Sequence, residues 1–478
     1  MRTLSRILLI IPPGPQPTRS PLLSVRYLAA TLLRAGHEVR VLDLAAPFGP
    51  TPEQVARVFS EWDPRIIGVG LYTESALAAY DFLRQLPPGG ALRVAGGPHA
   101  TAVPGEPLAR GFDLVVRGEG ERTLLALADL IAQVETGTPP LEENPGLTFR
   151  AKDGAVRHTP DAPRVLDLDA IPPPHHANPL FDRRWYAGND RDPLPAELMT
   201  SRGCPGRCTF CANIVTGRVH RTHSTSRVME EMAYWITREK MPALSFYDDA
   251  FTADRKRVRT LCRAVRERFD PLPSWWCESR IAGFDSETAA EMKAAGCAGI
   301  VFGVESGDPD ILARIGKGHR PQEALSALRT AREAGLITIA NMMFGFPDEG
   351  ESHLGNTLSF MGRMAPFTDY FSAMGILVPY PGTAIYEGHA RRFGFAGWWL
   401  DRAGMKVLIG EGPPRPEVFS DYEASLAWIA QREEAVLEAD FFHYSKQVKT
   451  LIRTCLEFRR DHNRQAVAAV REGRWRGI

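Results

Sequence analysis

The stretch CPGRCTFC at residues 204–211 decides how this sequence of 478 residues is interpreted, because it places three thiols within eight positions. Cys204, Cys208 and Cys211 at this spacing can wrap one small metal centre. A zinc site requires four ligands, and no fourth cysteine follows at the usual spacing. His220 and His223 are the possible extra ligands, but we interpret them as ordinary loop or surface residues. A [4Fe–4S] cluster also has four metal atoms, but an enzyme can leave one iron free for a substrate. The spacing favours the cluster, with zinc and structural cysteines as alternatives.

Six predicted strand–helix units start at this stretch. The strands are predicted at Glu197–Ser201, Ala243–Tyr247, Ser274–Glu278, Gly299–Val304, Thr338–Phe344 and Phe371–Val378. The helices are predicted at Ser226–Glu239, Asp254–Phe269, Ser286–Ala295, Gln322–Ala334 and Gly350–Met364. Six units favour an open, partial (β/α)6 barrel, and barrel active sites form at the carboxyl ends of the strands. We therefore expect the cysteines at that end.

The first 150 residues alternate apolar strands with helices, which predicts an α/β, Rossmann-like, doubly wound parallel sheet. The strands are predicted at Arg6–Ile11, Glu38–Leu42, Ile66–Gly70, Ala91–Ala95 and Leu114–Val116, and the helices at Ser24–Ala35, Pro52–Glu61, Glu74–Leu86 and Arg122–Val134. Ligands of such sheets bind beyond the carboxyl ends of the strands. Four loops marked by glycine or proline follow strands there, at residues 12–14, 71–73, 96–99 and 118–121. Together they predict a cleft for a large ligand.

The other segments complete a division into four regions. We assign residues 1–140 to the Rossmann-like domain, 141–195 to a proline-rich linker with a small hairpin near Leu147–Val156, 196–385 to the partial barrel and 386–478 to a mainly helical domain. In that last region the helices are predicted at Asp421–Tyr444 and Lys446–Arg460. From Lys446 onward there are nine Lys and Arg against three Asp and Glu. We interpret this tail as a solvated helix face; a membrane-surface or anionic-substrate role is the minority interpretation.

Composition excludes several classes of protein. Lys and Arg number 57 and Asp and Glu also 57, so the net charge of zero argues against a nucleic-acid-binding protein. No apolar run approaches the roughly 20 residues that span a bilayer, and the opening run stops at Pro12-Pro13, too early for a secretory signal. Seven cysteines, an odd number with three in one cluster, suit a reduced compartment. We expect a cytoplasmic protein that is not integral to a membrane.

The cysteine stretch at the start of a partial barrel resembles the radical SAM superfamily. In that family three cysteines hold the cluster, the fourth iron binds S-adenosylmethionine (SAM), and reductive cleavage gives a 5′-deoxyadenosyl radical. The resemblance implies that Phe210 lies near the adenine, that Arg280 pairs with the SAM carboxylate, and that the loop Gly345–Pro347 with Glu349 edges the adenine. The residues it assigns to SAM are Phe210, Tyr247, Asp248, Asp249, Arg280, Glu305, Ser306, Gly345 and Pro381. It also implies a reductase partner such as flavodoxin or ferredoxin.

The N-terminal half resembles the cobalamin-binding domain that precedes this barrel in one large subgroup. The residues that the resemblance assigns to cobalamin are Pro13, Gly14, Leu71, Tyr72, Thr73, Gly96, Gly97, Pro98, His99, Gly118, Glu119, Gly120 and Glu121. The Asp-x-His-x-x-Gly segment, whose histidine ligates cobalt in other cobalamin proteins, is missing, and His37 is expected at the surface. Cobalamin is therefore expected base-off without a histidine ligand. Leu71 or Tyr72 would crowd the lower face of the cobalt, and Tyr72 joins the cysteines as a catalytic candidate.

Together these features predict an enzyme that methylates an unactivated carbon of a small molecule. The deoxyadenosyl radical would abstract hydrogen, and the substrate radical would take a methyl group from methylcobalamin. A cobalamin-assisted cyclisation or rearrangement and a regulatory module without turnover are the alternatives. The substrate would be a secondary metabolite, a peptide or a lipid precursor. The aromatic candidates for its walls are Trp185, Tyr186, Trp275, Trp276, Trp398 and Trp399.

Overall fold

A computed structural model describes residues 4–14, 20–86, 89–133, 140–188, 194–372, 375–404 and 422–471 of the chain. The chain divides into two compact units. The first unit comprises Met1–Pro195, Ala212–Gly217 and Gly397–Glu417. The second unit comprises Ala196–Cys211, Arg218–Ala396 and Val418–Ile478.

The first unit is built on a seven-stranded sheet in the order β2-β1-β3-β4-β5-β6-β7. Its strands are β1 (Arg6–Ile11), β2 (Glu38–Asp43), β3 (Ile66–Gly70), β4 (Leu92–Gly96), β5 (Leu114–Val116), β6 (Leu147–Arg150) and β7 (Val156–His158). Strands β1 to β5 run parallel. The apolar run of β1 is almost wholly buried, as a central strand covered on both faces requires. The predicted doubly wound parallel sheet is confirmed.

Helices accompany this sheet. They are α1 (Leu23–Arg34), α2 (Pro52–Trp62), α3 (Ala76–Gln85), α4 (Pro98–Ala102), α5 (Gly105–Ala109), α6 (Gly120–Gln133) and α7 (Arg184–Ala187). Short 3₁₀ turns lie at Thr73–Ser75, Leu141–Glu143, Leu168–Ala170, Pro174–Leu180 and Trp398–Leu400. Helix α2 starts at a capping box in which Thr51 and Gln54 each accept from the other's backbone N–H. The predicted last residue of α6, Val134, lies outside the described residues.

The predicted hairpin is present as β6 and β7, and β6 pairs antiparallel with β5. The early part of the proposed linker therefore extends the first sheet. The following turn Pro174–Leu180 packs on α1, and Tyr186 donates a buried 2.9 Å hydrogen bond to Asp43 at the end of β2. The four-domain division itself stays a prediction.

The second unit contains a six-stranded parallel sheet in the order β15-β14-β13-β12-β11-β8. Its strands are β8 (Glu197–Leu198), β11 (Ala243–Phe246), β12 (Ser274–Arg280), β13 (Cys297–Glu305), β14 (Ile337–Met342) and β15 (Tyr370–Phe371). A separate antiparallel ribbon is formed by β9 (Ser201–Arg202) and β10 (Arg221–Thr222). Six parallel strands in an open sheet confirm the partial barrel.

Two predicted strands differ from the structure. The first, Glu197–Ser201, divides into β8 and β9, because the N–H of Thr200 bonds the side chain of Asp248 instead of a neighbouring strand. The sixth, Phe371–Val378, is reduced to β15 and an isolated bridge between Phe344 and Ile376. Residues 373 and 374 of that prediction lie outside the described residues.

The helices of the second unit are α8 (Thr225–Ala233), α9 (Arg255–Arg268), α10 (Ser286–Ala294), α11 (Pro309–Arg314), α12 (Pro321–Glu333), α13 (Glu351–Met364), α14 (Ala384–Phe393), α15 (Tyr422–Ala439) and α16 (Lys446–Arg471). A π-helical turn, Tyr234–Arg238, continues α8, and 3₁₀ turns lie at Phe251–Ala253 and Ala365–Phe367. Side-chain N-caps start α8, α9, α10 and α11 at Ser224, Asp254, Asp285 and Asp308.

The C-terminal helices belong to the second unit. Helix α16 continues to Arg471, beyond the predicted Arg460, and packs on α13 and β15. Part of its basic charge is neutralised by α15, because Arg453 pairs with Glu434 and the buried Arg459 pairs with Glu433. Asp421, the predicted start of α15, lies outside the described residues. Within the described ranges, no helix combines the length and apolarity that crossing a bilayer requires.

Candidate functional site

The cysteine loop follows β9 and leaves its three thiols accessible. Cys204 and Cys208 are half-buried and Cys211 is exposed, whereas the other four cysteines of the chain are buried. Burial raises the pKa of Cys262 and Cys455 to about 12, so those thiols are poor ligands. The loop thiols are therefore the ones placed to ligate a metal centre.

Arg280, the last residue of β12, reaches this loop. Its Nη1 lies 3.8 Å from the sulfur of both Cys204 and Cys208, and its Nη2 donates a 2.6 Å hydrogen bond to the carbonyl of Lys317. A Cβ at Gly206 would collide with this guanidinium, which explains the glycine. Burial alone would lower the pKa of Arg280, but the two sulfurs raise it. A permanent positive charge therefore stands beside the thiols.

Lys317 is a site residue that the sequence reasoning missed. Its Nζ pairs with Glu305 Oε1 at 2.7 Å, both side chains being buried, and lies 5.7 Å from the centre of the Phe210 ring. Glu305 ends β13 with φ of 71°, a left-handed conformation that costs a non-glycine residue energy. The signal for Lys317 in the sequence was its position between two glycines, Gly316 and Gly318. In the structure both glycines have positive φ.

The Gly345 loop is held from two sides. The N–H groups of Gly345 and Phe346 donate to Glu349 Oε2 at 2.6 and 3.2 Å, and the hydroxyl of Tyr444 donates to the Gly345 carbonyl. Phe346 contacts Phe210 with ring centres 5.9 Å apart. Burial raises the pKa of Glu349 to about 7 despite its two backbone donors. The loop that the resemblance assigns to the adenine is thus fixed by a buried carboxyl group.

The segment after β11 has three different side-chain environments. Tyr247 and Asp249 are exposed, and Asp249 accepts a 3.1 Å hydrogen bond from the N–H of Gly203 beside the cysteine loop. Asp248 is buried and accepts hydrogen bonds from Thr200 and Ser201. Asp248 therefore joins β11 to the β8–β9 connection. The assignment of this segment to SAM stays a prediction.

Two further predicted SAM residues lie in buried surroundings. Ser306 is buried, with its hydroxyl 3.0 Å from that of Thr357. Pro381 is buried before α14, whose Ile385 N–H donates to the carbonyl of Thr209 inside the cysteine loop. These contacts fix the segments around the loop, and the roles of Ser306 and Pro381 in SAM binding stay predictions.

The donor set of the loop fits an iron–sulfur cluster better than zinc. Tetrahedral zinc with bonds of about 2.3 Å holds its sulfurs about 3.8 Å apart. Among the described residues, the group of metal-ligating side chains whose ligand atoms lie within 4.8 Å of one another is Asp308, Asp310 and His353, without the loop cysteines. The three accessible thiols do not all lie within 4.8 Å of one another, and two of them lie beside the cationic Arg280, which suits a larger, anionic thiolate-bound centre.

The carboxyl ends of β1 and β3 form the switch point of the first sheet, where the chain turns to opposite sides. Tyr72 is 46% exposed there, between buried Leu71 and Thr73. A Cβ at Gly70 or Gly118 would meet no atom within 4 Å. This edge offers open backbone and one exposed aromatic side chain, and it fits a large planar ligand.

The remaining residues assigned to cobalamin are half-buried or buried. Pro13 and Gly14 are half-buried. Gly97, at φ of 95°, is required because a Cβ would lie 2.9 Å from the Leu71 carbonyl. Glu121 is buried, and Glu119 accepts from the N–H of Val165 at 3.3 Å. The half-buried members at the same edge are Gly96, Pro98, Gly118, Glu119 and Gly120.

His37 is not a surface residue, contrary to expectation. It is buried, accepts a 3.2 Å hydrogen bond from the N–H of Ser5 and contacts Asp129 through Nε2 at 3.1 Å. It precedes β2 and so lies at the amino ends of the parallel strands. His37 packs between the start of β1 and α6, away from the switch point.

Several aromatic candidates for substrate walls have structural contacts. Trp275 is buried against Phe246 and Phe251 and donates to the Ala295 carbonyl at 2.8 Å. Trp398 and Trp399 are buried and belong to the first unit. The substrate-binding role of these residues is untested.

Two family models match the chain. The radical SAM superfamily model covers residues 198–361, and the B12 binding domain model covers residues 18–128. The first match includes strands β9 to β14 of the second unit, and the second match includes strands β2 to β5 of the first unit.

Two curated relatives and one solved structure illustrate the proteins that this chain is similar to. An uncharacterised methyltransferase of Pyrococcus horikoshii is 32% identical over 80% of this chain and 82% of its own length. The anaerobic magnesium-protoporphyrin IX monomethyl ester cyclase of Cereibacter sphaeroides is 26% identical over 76% of this chain and 59% of its own length. The radical S-adenosylmethionine methyltransferase TsrM of Kitasatospora setae, solved with cobalamin and a [4Fe–4S] cluster, superposes with a TM-score of 0.67 at 21% identity, over 82% of this chain and 75% of its own.

Proposed function

We propose, because the chain belongs to the cobalamin-binding group of the radical SAM superfamily, that this enzyme transfers a methyl group to an unactivated carbon of a small molecule. The observation that carries the proposal is the placement of Cys204, Cys208 and Cys211. They are the accessible thiols of the chain, on a loop beside the end of β12.

The residues of the second unit suit SAM bound at a cluster. Cys204, Cys208 and Cys211 would ligate three irons. Arg280 would stabilise the anionic centre or the SAM carboxylate, since guanidinium groups bind carboxylates in a fork. Phe210 and Phe346 offer an aromatic surface for the adenine. An external reductase such as flavodoxin or ferredoxin would supply the electron.

The residues of the first unit suit cobalamin without a histidine ligand. Neither His37 nor His99 is accessible, at 2% and 1% exposure, which argues against either residue as a cobalt ligand. Tyr72 is the exposed side chain that would lie against the corrin. When bound, the cofactors would supply a 5′-deoxyadenosyl radical for hydrogen abstraction and the methyl group itself, chemistry beyond any side-chain acid or base.

The likeness to the Cereibacter cyclase favours a second candidate. A cobalamin-assisted cyclisation or rearrangement would use the same cysteines and the same radical without transferring a methyl group. The two functions differ in how SAM is consumed.

Anaerobic turnover with candidate substrates distinguishes them. Methyl transfer requires 5′-deoxyadenosine and S-adenosylhomocysteine to accumulate together with methylated product, because a second SAM must remethylate the cobalamin. Formation of 5′-deoxyadenosine and product without S-adenosylhomocysteine would contradict methylation and support cyclisation or rearrangement.

A further inference from the structure

A carboxylate in the first unit accepts hydrogen bonds from three side chains, one of which comes from the C-terminal part of the chain. Glu106 in α5 accepts from the hydroxyl of Tyr80 at 2.8 Å, from His99 Nε2 at 3.2 Å and from the indole N–H of Trp399 at 3.0 Å. Burial opposes its ionisation, but these donors hold the pKa of Glu106 below its ordinary value. The group is a charged acceptor at neutral pH.

His99 connects Glu106 to the loop after β3 through hydrogen bonds. Its side chain is fully buried, and its Nδ1 lies 3.1 Å from the hydroxyl of Thr73. The two ring nitrogens of His99 therefore face different partners, the Glu106 carboxylate at Nε2 and the Thr73 hydroxyl at Nδ1. The backbone N–H of His99 also donates to the carbonyl of Leu71 at 3.1 Å. His99 therefore holds both ends of the loop 71–73.

Trp399 completes the arrangement from the C-terminal part of the chain. Its ring meets that of His99 edge to face, with centres 5.3 Å apart. Arg402 pairs with Asp81 of α3 at 2.6 Å, which fastens the same segment to the first unit. Trp399 is therefore the first member of a chain of hydrogen bonds that continues through Glu106 and His99 to Thr73, next to the exposed Tyr72.

We propose that His99 is a positioning residue for cobalamin binding. The Glu106–His99–Thr73 chain sets the shape of the loop 71–73 at the switch point, so that the exposed Tyr72 is held in position to contact the corrin. His99 acts through this loop and does not ligate cobalt. The inference rests on the proposed function, because it assumes that this edge binds cobalamin.

The test compares Thr73→Val and His99→Phe with the wild-type enzyme. Thr73→Val removes the hydroxyl while keeping the side-chain shape. Thr31→Val is the matched control, since Thr31 is also buried in the first unit but bonds only the Tyr27 carbonyl of its own helix. Hydroxocobalamin affinity is measured by absorbance titration, and cob(II)alamin is examined by electron paramagnetic resonance.

We expect Thr73→Val to weaken hydroxocobalamin binding about five- to tenfold, and Thr31→Val to bind like wild type. The cob(II)alamin spectrum should lack splitting from a cobalt-bound nitrogen in the wild type and in His99→Phe. Should His99→Phe fail to fold, Thr73→Val decides.

Three results would overturn the inference. They are wild-type affinity in Thr73→Val, an equal loss in Thr31→Val, and a nitrogen splitting that disappears in His99→Phe. If the wild-type enzyme takes up no cobalamin, the proposed function fails together with the inference; if only the variants behave like wild type, the inference alone fails.

Discussion

The pairing of Lys317 with Glu305 shows how one residue can complete a site that sequence motifs outline. Glu305 lies at the end of β13, and its partner comes twelve positions later, after α11. No local periodicity relates the two, so only the fold brings them together. Removing one member of a buried ion pair leaves an uncompensated charge.

We therefore expect Lys317→Met to lower the rate of 5′-deoxyadenosine formation by at least about tenfold, because the buried Glu305 loses its counter-charge beside Phe210. Iron and sulfide content should stay at the wild-type level. Lys317→Arg should restore part of the rate. Arg266→Met, which breaks an ion pair with Glu291 between α9 and α10, is the control. Wild-type SAM cleavage by Lys317→Met would contradict this role.

Glu349 gives a prediction about pH. Its pKa rises from 4.5 in the unfolded chain to about 7 in the folded protein, so the folded state binds the extra proton between these values. The contribution of this one group to stability should be greatest below pH 4.5 and fall by about 3 kcal/mol as the pH rises to about 7. Glu349→Gln removes the titration.

The melting temperature of Glu349→Gln relative to wild type should therefore increase between pH 5 and pH 7.5. Differential scanning fluorimetry under nitrogen measures both proteins across this range. A constant difference between the two melting curves would show that Glu349 is already ionised at pH 5.

At the scale of elements, buried apolar runs were the reliable signal. The predicted bounds of β1, β3 and β5 match the structure, because short β-branched runs between turns are typical of strands covered on both faces. The last barrel strand was overestimated, because its pairing with β14 is confined to Tyr370 and Phe371 and resumes only as the isolated bridge between Phe344 and Ile376. The burial of His37 was also missed, because it depends on partners in other elements, which no local pattern records.

The backbone of Phe371 in β15 is paired with a side chain, that of Asn463 in α16. It accepts from the N–H of Phe371 at 2.9 Å and donates to the carbonyl of the same residue at 2.8 Å. The outer edge of β15 is therefore occupied by an amide that mimics a neighbouring strand. Such protection prevents edge-to-edge association of the sheet.

Asn463→Ala should lower the free energy of unfolding by about 2–4 kcal/mol, because two buried backbone groups lose their partners. Amide hydrogen exchange at residues 370–372 should accelerate before exchange in β13 changes. Gln465→Ala, on the exposed side of the same helix, should leave both measurements unchanged. Equal exchange in Asn463→Ala and wild type would mean that another group protects this edge.

At the scale of the whole molecule, each candidate cofactor site is built within one unit. The cysteine loop, Arg280 and Lys317 belong to the second unit, whereas the loop 71–73, His99 and Trp399 belong to the first. The sequence predicted both sheets and the cysteine loop from local patterns. It did not predict that residues 397–404 join the first unit, because a return of the chain over some 300 positions leaves no periodic signal.

This separation predicts the behaviour of Cys208→Ala. Loss of one ligand should abolish the cluster, measured as iron and acid-labile sulfide after anaerobic purification, and with it 5′-deoxyadenosine formation. Hydroxocobalamin should still bind with wild-type affinity, because no residue of the first unit has changed. Cys262→Ala, a buried thiol of α9, should retain the cluster. Zinc in place of iron in the wild-type protein, or SAM cleavage by Cys208→Ala, would refute the assignment of this loop and the radical chemistry that depends on it.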